Sequence, residues 1–171
     1  MLTLGNFVKD LASSKKGEQL VTKYFENLVE SPSGGSGQLT PYTLTGINNT
    51  KAWDLKFERD FNYQYGDHHQ EILVEVKTDF FPRVANMAIE VACRGKPSGL
   101  MTSKSDYYSY VFYNLREVWT IKTNILKNIM DLAHQVSIGG DKGSNTVVFL
   151  LDREKVREHF DIVTFEKEVT V

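Results

Sequence analysis

Two stretches decide the reading of this chain: Ala52-Trp53-Asp54-Leu55-Lys56-Phe57-Glu58 and Glu71-Ile72-Leu73-Val74-Glu75-Val76-Lys77-Thr78. In the first, Trp53, Leu55 and Phe57 alternate with Asp54, Lys56 and Glu58, the two-residue period of a half-buried strand. In the second, Ile72, Val74 and Val76 occupy one face, and Glu71, Leu73, Glu75 and Lys77 the other. Tyr65-Gly66-Asp67-His68 between them has the composition of a turn, so the pair predicts a β-hairpin.

Working outward, residues 15–30 predict an amphipathic helix, with Leu20, Val21, Tyr24, Phe25, Leu28 and Val29 in one apolar stripe. Gly17 lies in that stripe, where the missing side chain permits close packing, and Glu18 lies at its edge. Ser31 to Gly37 reads as a loop that ends the helix. After the hairpin, Met87–Cys93 predicts a third strand, followed by the loop Gly95–Gly99. Tyr107–Tyr113 and Glu117–Ile121 have the aromatic and β-branched content of two more strands. Thr123 is placed as the cap of a helix reaching about His134, with Ile125, Leu126, Ile129, Met130 and Ala133 on its apolar side. Gly139–Gly143 reads as a turn-rich loop, Asn145–Leu151 as a buried strand and Arg153–Phe160 as a short closing helix. The fold class expected is α/β, a central mixed sheet flanked by helices, in a single domain over residues 1–171.

Composition narrows the function. Apolar residues make up 41% and charged residues 25% of 171 residues, and the net charge is −2. Such a balance argues against coating nucleic acid through bulk positive charge, but it allows an acidic site that a cation neutralises when a polyanion arrives. Cys93 is the only cysteine, so neither an internal disulfide nor a cysteine-based zinc site is available. Between Val91, Ala92 and the loop it reads as a small buried apolar side chain. No run of eighteen apolar residues and no secretory pattern at Met1–Lys16 is present, so the expected setting is cytoplasmic, with no membrane contact.

The chemistry centres on the hairpin. Glu75 and Lys77 are two residues apart on one strand and project from one face. If the strands pair with their apolar faces together, Asp54 joins them, bringing two carboxylates and an ammonium into one place. Hard divalent cations take such oxygen ligands. A metal there stabilises charge on a phosphate and lowers the pKa of water, and a neighbouring lysine can orient or deprotonate that water or offset developing charge. The same spacing also fits a solvent face with a cross-strand ion pair between Lys77 and Asp54.

Asp54, followed after a hairpin-length gap by Glu75-Val76-Lys77, resembles the PD-(D/E)xK pattern of restriction-endonuclease-like nucleases, although Trp53 stands where that pattern has proline. Those folds begin with a helix that often contributes a glutamate, and Glu18 matches that position. Val74–Asp79 with Asn86–Glu90 and Lys96-Pro97-Ser98-Gly99 further resembles small phage-encoded nucleases of this superfamily. The resemblance covers roughly residues 15 to 151. It implies Mg²⁺-dependent hydrolysis of DNA phosphodiesters, with Mn²⁺ as a substitute. Asp54, Glu75 and the Val76 carbonyl would hold metal, Lys77 would act on the water, and Glu18 would assist. The substrate could be a branched junction or a repair intermediate. An exonuclease, or a catalytically silent DNA-binding or scaffold protein of the same fold, is the alternative, and a homodimer stays open.

Other residues carry weaker expectations. Lys96, Ser98, Ser103 and Lys104 follow the third strand and have the chemistry of phosphate ligands, though Ser103 could equally cap a short helix at Lys104–Tyr107. Glu90 is an accessory carboxylate or an exposed strand residue, and Glu18 could simply pair with Lys15. Asp67-His68-His69 reads as a solvated hairpin tip. His134 and His159 fall near predicted helix ends. Tyr107, Tyr108 and Tyr110 could stack on bases but fit a core strand better.

Overall fold

A computed structural model describes residues 4–28, 41–50, 52–63, 66–79, 85–139 and 145–166. Helix α1 (Leu4–Asn27) leads into β1 (Thr43–Thr50), β2 (Trp53–Tyr63) and β3 (Gly66–Asp79). Strands β4 (Asn86–Cys93) and β5 (Lys96–Pro97) follow, with a 3₁₀ turn at Gly99–Met101. Then come β6 (Tyr107–Phe112), β7 (Glu117–Lys122) and α2 (Thr123–Asn128). The described chain closes with β8 (Gln135–Gly139), β9 (Thr146–Asp152), α3 (Arg153–Val156) and β10 (Asp161–Thr164).

The strands form two sheets. The central one has six strands in the order β1-β2-β3-β6-β7-β10, and the second has four in the order β5-β4-β9-β8. Among the described residues, only β3 and β6 run parallel in the central sheet; its other pairings are antiparallel. A parallel pair needs a crossover, commonly a helix. Here the crossover carries β4 and β5, which is why the third strand expected beside the hairpin belongs to the other sheet. The α/β class with a central mixed sheet is what the sequence predicted. The second sheet was not predicted.

Alternation sets the faces. Leu55 and Phe57 of β2 and Val74 of β3 are fully buried with Val21 and Phe25 of α1. Phe25 stacks on Phe57 at 5.0 Å between ring centres and meets Tyr42 and Tyr107 edge-on. Burying side chains of this size stabilises by about 1.5–3 kcal/mol each. A Cβ on Gly17 would come within 2.2 Å of Thr78 Oγ1, so the glycine brings α1 directly onto β3. On the opposite face, Tyr108, Tyr110, Trp119 and Ile121 of the central sheet pack with Met87, Ile89 and Leu151 of the second sheet. The phenols of Tyr108 and Tyr110 are therefore core and not a base-stacking platform. Tyr107 is half-buried beside the α1 core.

Several predicted boundaries move. The helix expected over 15–30 begins at Leu4, where polar Lys9, Asp10, Ser13 and Ser14 hid it; Val29 and the 31–37 loop lie outside the described residues. Gly66, Asp67 and His68 belong to β3, pairing with Tyr63, Asn62 and Phe61, while Tyr65 lies outside the described residues. β1, β8 and β10 were not predicted. Thr123 does not cap α2; its hydroxyl meets Ser105 Oγ at 3.3 Å, and Lys122 takes the cap position without a side-chain bond. The helix expected to reach His134 stops at Asn128, continues as a 3₁₀ turn over Ile129–Leu132 and gives way to β8. Ile125 is exposed, although Leu126, Ile129 and Met130 are buried. The closing helix is α3 plus a 3₁₀ turn at Arg157–His159. In the Gly95–Gly99 segment, Lys96 and Pro97 pair with Cys93 and Ala92. Gly139 ends β8, and 140–143 lie outside the described residues. Cys93 is half-buried, against the expectation of full burial. Among the described residues no helix is long and apolar enough to cross a membrane.

Gly99 fixes the loop after β5. Its φ is +52°, and an added Cβ would lie 2.4 Å from the Glu90 carbonyl oxygen. Gly99→Ala is expected to cost roughly 2–4 kcal/mol, combining left-handed backbone strain with overpacking against main chain. Urea unfolding checks this; a loss below about 0.5 kcal/mol would contradict the seating of this loop on β4.

Candidate active site

The ladder between β2 and β3 runs from Tyr63↔Gly66 to Leu55↔Val74 and stops one residue short of Asp54. At that point the Val76 N–H donates to Asp54 Oδ2 at 2.7 Å, so a carboxylate replaces the backbone partner. The N–H and C=O of one strand residue point to the same side. Leu73 illustrates it, since both its N–H and its C=O bond Asp106. The Val76 carbonyl therefore faces the same gap as its N–H. On the other flank, the β1–β2 register steps from Ile47↔Leu55 to Thr50↔Trp53, setting Asn48 and Asn49 against Asp54 alone. Asp54 thus sits between a bulge and an opened ladder, the two devices by which a sheet re-aims a side chain.

Glu75 is buried on β3, and its Oε1 accepts from Lys77 Nζ at 2.5 Å. The sequence allowed a Lys77–Asp54 ion pair; the structure gives Lys77 to Glu75 on its own strand. The Lys77 side chain keeps 43% of its surface. Glu18 on α1 is half-buried, and its carboxylate accepts from Ser14 Oγ at 3.5 Å, with Lys15 as an electrostatic neighbour and no ion pair among the described residues. Glu90 of β4 is held by Ser98 Oγ at 2.7 Å. It contributes to the electrostatics of Lys77, so the accessory carboxylate comes near the site from the second sheet.

The electrostatics follow from this packing. Partial burial, and then the Glu75 charge, push Asp54 up to about 6, against the Val76 N–H bond and Lys77, which favour its anion. Glu18 adds a smaller push in the same direction. Burial also raises Glu18, opposed by Ser14 and Lys15. Burial alone would lower Lys77, but Glu75, Asp54 and Glu90 outweigh it and raise the ammonium above its ordinary range. Lys77 is therefore a charged donor at neutral pH. Asp54 thus feels the charges of Glu75 and Glu18, with Lys77 as the nearby cation.

A cleft of about 1,040 Å³ opens over Asp54, walled by Glu18, Lys15, Gln19 and Lys23 of α1 and by Leu44 and Ile47 of β1. Gln19 and Lys23 were not singled out from sequence, and Lys15 only as a partner for Glu18, although their spacing of four places them on one helical face. The expected phosphate ligands are dispersed. Lys96 is exposed on β5, in the second sheet, and Ser98 is occupied by Glu90. Ser103 bonds the Ala52 carbonyl and Ser105 Oγ and caps no helix, because 103–105 is irregular and Tyr107 opens β6. Lys104 is exposed, its N–H bonded to the Ala52 carbonyl. The loop follows β5, an edge strand of the second sheet, while β3, which carries Glu75, lies inside the central sheet between β2 and β6. His69 bonds Asp60 across the far end of the hairpin, and His134 and His159 lie outside these contacts. Among the described residues, no three His, Cys, Asp or Glu side chains stand close enough to hold a metal ion by themselves. Asp54 and Glu75 act on each other electrostatically, and the Val76 carbonyl faces the gap at Asp54; hard divalent cations take oxygens of these kinds. Comparison of the chain with models of protein families, with curated proteins and with solved structures gives no match.

The raised Asp54 has a consequence for stability. Between its ordinary value of 3.8 and about 6, the folded chain binds more protons at this group than the unfolded chain, so stability falls as pH rises through that window and stays lowered above it. Asp54→Asn keeps an acceptor for Val76 and removes the charge. It is expected to raise stability by roughly 1–3 kcal/mol at pH 7 and by little at pH 3.5. Urea unfolding at the two pH values checks this; destabilisation at pH 7 would show that the charge is compensated and the electrostatic reading is wrong.

Proposed function

We propose that the chain is a metal-dependent nuclease that hydrolyses DNA phosphodiesters, built on a restriction-endonuclease-like core formed by α1 and the β2–β3 hairpin. One observation carries the reading. The hairpin opens at Asp54, whose carboxylate is held half-buried beside Glu75 and the Val76 carbonyl, with Lys77 two residues along. A plain solvent face would leave such carboxylates apart and hydrated. Burying Asp54 and setting Glu75 near it raise its pKa and cost stability, which a cation would restore.

The residues present fit Mg²⁺ or Mn²⁺: Asp54, Glu75 and the Val76 carbonyl would hold the ion, with Glu18 assisting from α1. When bound, such an ion offsets charge on a phosphate and lowers the pKa of water. Lys77, charged and partly exposed, donates hydrogen bonds toward the same space and stabilises negative charge developing on the phosphate. Its raised pKa favours this role over that of a base. Asp54 must be ionised to bind a cation, so activity should rise with pH through about 6. The cleft between α1 and β1 admits the strand, and Lys15 and Lys23 face its backbone.

Incubating the chain with plasmid, single-stranded and branched DNA, with and without Mg²⁺, tests the reading. Cleavage is expected only with the metal, and Lys77→Ala should cut turnover by roughly 10²-fold while leaving DNA binding in Ca²⁺ intact. Full activity of Lys77→Ala would remove the lysine from the mechanism. Absence of Mg²⁺-dependent cleavage of all three substrates would overturn the assignment.

A further inference from the structure

Beyond the cleft, three lysines from separate parts of the chain meet in one groove. A recess of about 520 Å³ is lined by Lys104 from the loop before β6, Lys122 at the end of β7 and Lys127 on α2, with Asn124 between the last two. All three lysines are exposed, and none has an ion pair among the described residues. Two acids also line the groove, and each makes a bond of its own. Glu71 is paired with Lys56 at 2.6 Å, and Asp106 accepts the Leu73 N–H at 2.8 Å. In a chain of net charge −2, three lysines against two acids leave this groove with a local excess of positive charge.

The groove is held rigid by its floor. Asp106 ties β3 to the start of α2, its N–H donating to the Leu73 carbonyl and its carbonyl accepting from the Thr123 N–H. Ser103, Ser105 and Thr123 form a chain of hydroxyls at 2.7 and 3.3 Å. The Lys104 N–H bonds the Ala52 carbonyl, two residues before Asp54, so one wall of the groove is fastened to the start of the strand that carries the candidate active site. An anionic partner lying along the groove would gain from the excess of lysines over acids in its lining.

We infer that this groove is the track for the phosphate backbone of the DNA, with Lys122 and Lys127 extending beyond Lys104 the contacts made near Asp54. The inference rests on the chain being a DNA-acting protein and not on its hydrolysing DNA. A phosphodiester backbone fits better than an acidic protein surface because its charge repeats evenly along the strand, and because the groove wall at Lys104 is bonded to Ala52, two residues before Asp54.

Binding of a fluorescent 30-base-pair duplex, measured by anisotropy in Ca²⁺ across a salt series, tests it. Lys122→Gln with Lys127→Gln should lower the log-log salt slope by about two and weaken binding by tenfold or more at moderate salt. Lys16→Gln with Lys155→Gln, which removes two exposed lysines elsewhere, should leave the slope unchanged. An unchanged slope in the groove variant, or an equal loss in the control, overturns the inference. So does polyglutamate binding that the groove mutations abolish while duplex binding persists, which would assign the groove to an acidic protein. If the wild type binds DNA through the groove but does not cut it in Mg²⁺, the track stands and the nuclease reading falls. If it cuts DNA and the groove variant keeps the wild-type slope, the reverse holds.

Discussion

The hydrogen bond from the Val76 amide to the Asp54 carboxylate, at 2.7 Å, stands where a ladder bond between two strands would otherwise form. Strand pairing satisfies backbone groups cheaply, and a sheet abandons it only where something replaces the partner. Replacing it with a charged side chain keeps the amide satisfied and fixes the carboxylate in the plane of the sheet. The same substitution leaves the neighbouring carbonyl facing the gap. The bulge of Asn48 and Asn49 on the other flank of Asp54 relieves β1 from following the distortion. Most other features of the candidate site follow from this one exchange.

Its electrostatic cost is visible in the surrounding packing. Asp54 and Glu75 repel each other in a half-buried setting, and the structure compensates with one ammonium, Lys77, bonded to Glu75. Gly17 lets α1 lie directly against β3 at Thr78, and the next residue, Glu18, adds a further negative charge near Asp54. A fold that gained only stability from these positions would place apolar or oppositely charged groups there. Retaining acids against their mutual repulsion is the pattern of sites that await a cation. The second sheet takes part as well: Glu90, gripped by Ser98 over Gly99, reaches the electrostatic surroundings of Lys77.

The hairpin was legible because its alternation is clean: Leu55, Phe57, Ile72 and Val74 bury one face, and that fixes where Asp54, Glu75 and Lys77 project. The Gly17 contact was legible from a glycine inside an apolar stripe. The strand β1 was not, because Thr-Leu-Thr-Gly-Ile-Asn-Asn-Thr has weak alternation and a bulge that breaks the period. The place of β4 was also hidden. A strand rich in Met, Ile and Val announces burial but not which sheet it joins, and here its partner β9 lies far along the chain. The groove of Lys104, Lys122 and Lys127 was out of reach for the same reason, since only the β6–β7 pairing and the Asp106 bonds bring those residues together.

The central claim is that the opened hairpin is a cation site. Crystals grown with Mn²⁺ and measured at an anomalous wavelength test it most directly. The expected result is an ion with oxygens of Asp54 and Glu75 and the Val76 carbonyl at about 2.0–2.6 Å, with Lys77 released from Glu75. A structure in which Asp54 and Glu75 keep their bonds to Val76 and Lys77 at saturating Mn²⁺, with no ion between them, would contradict it.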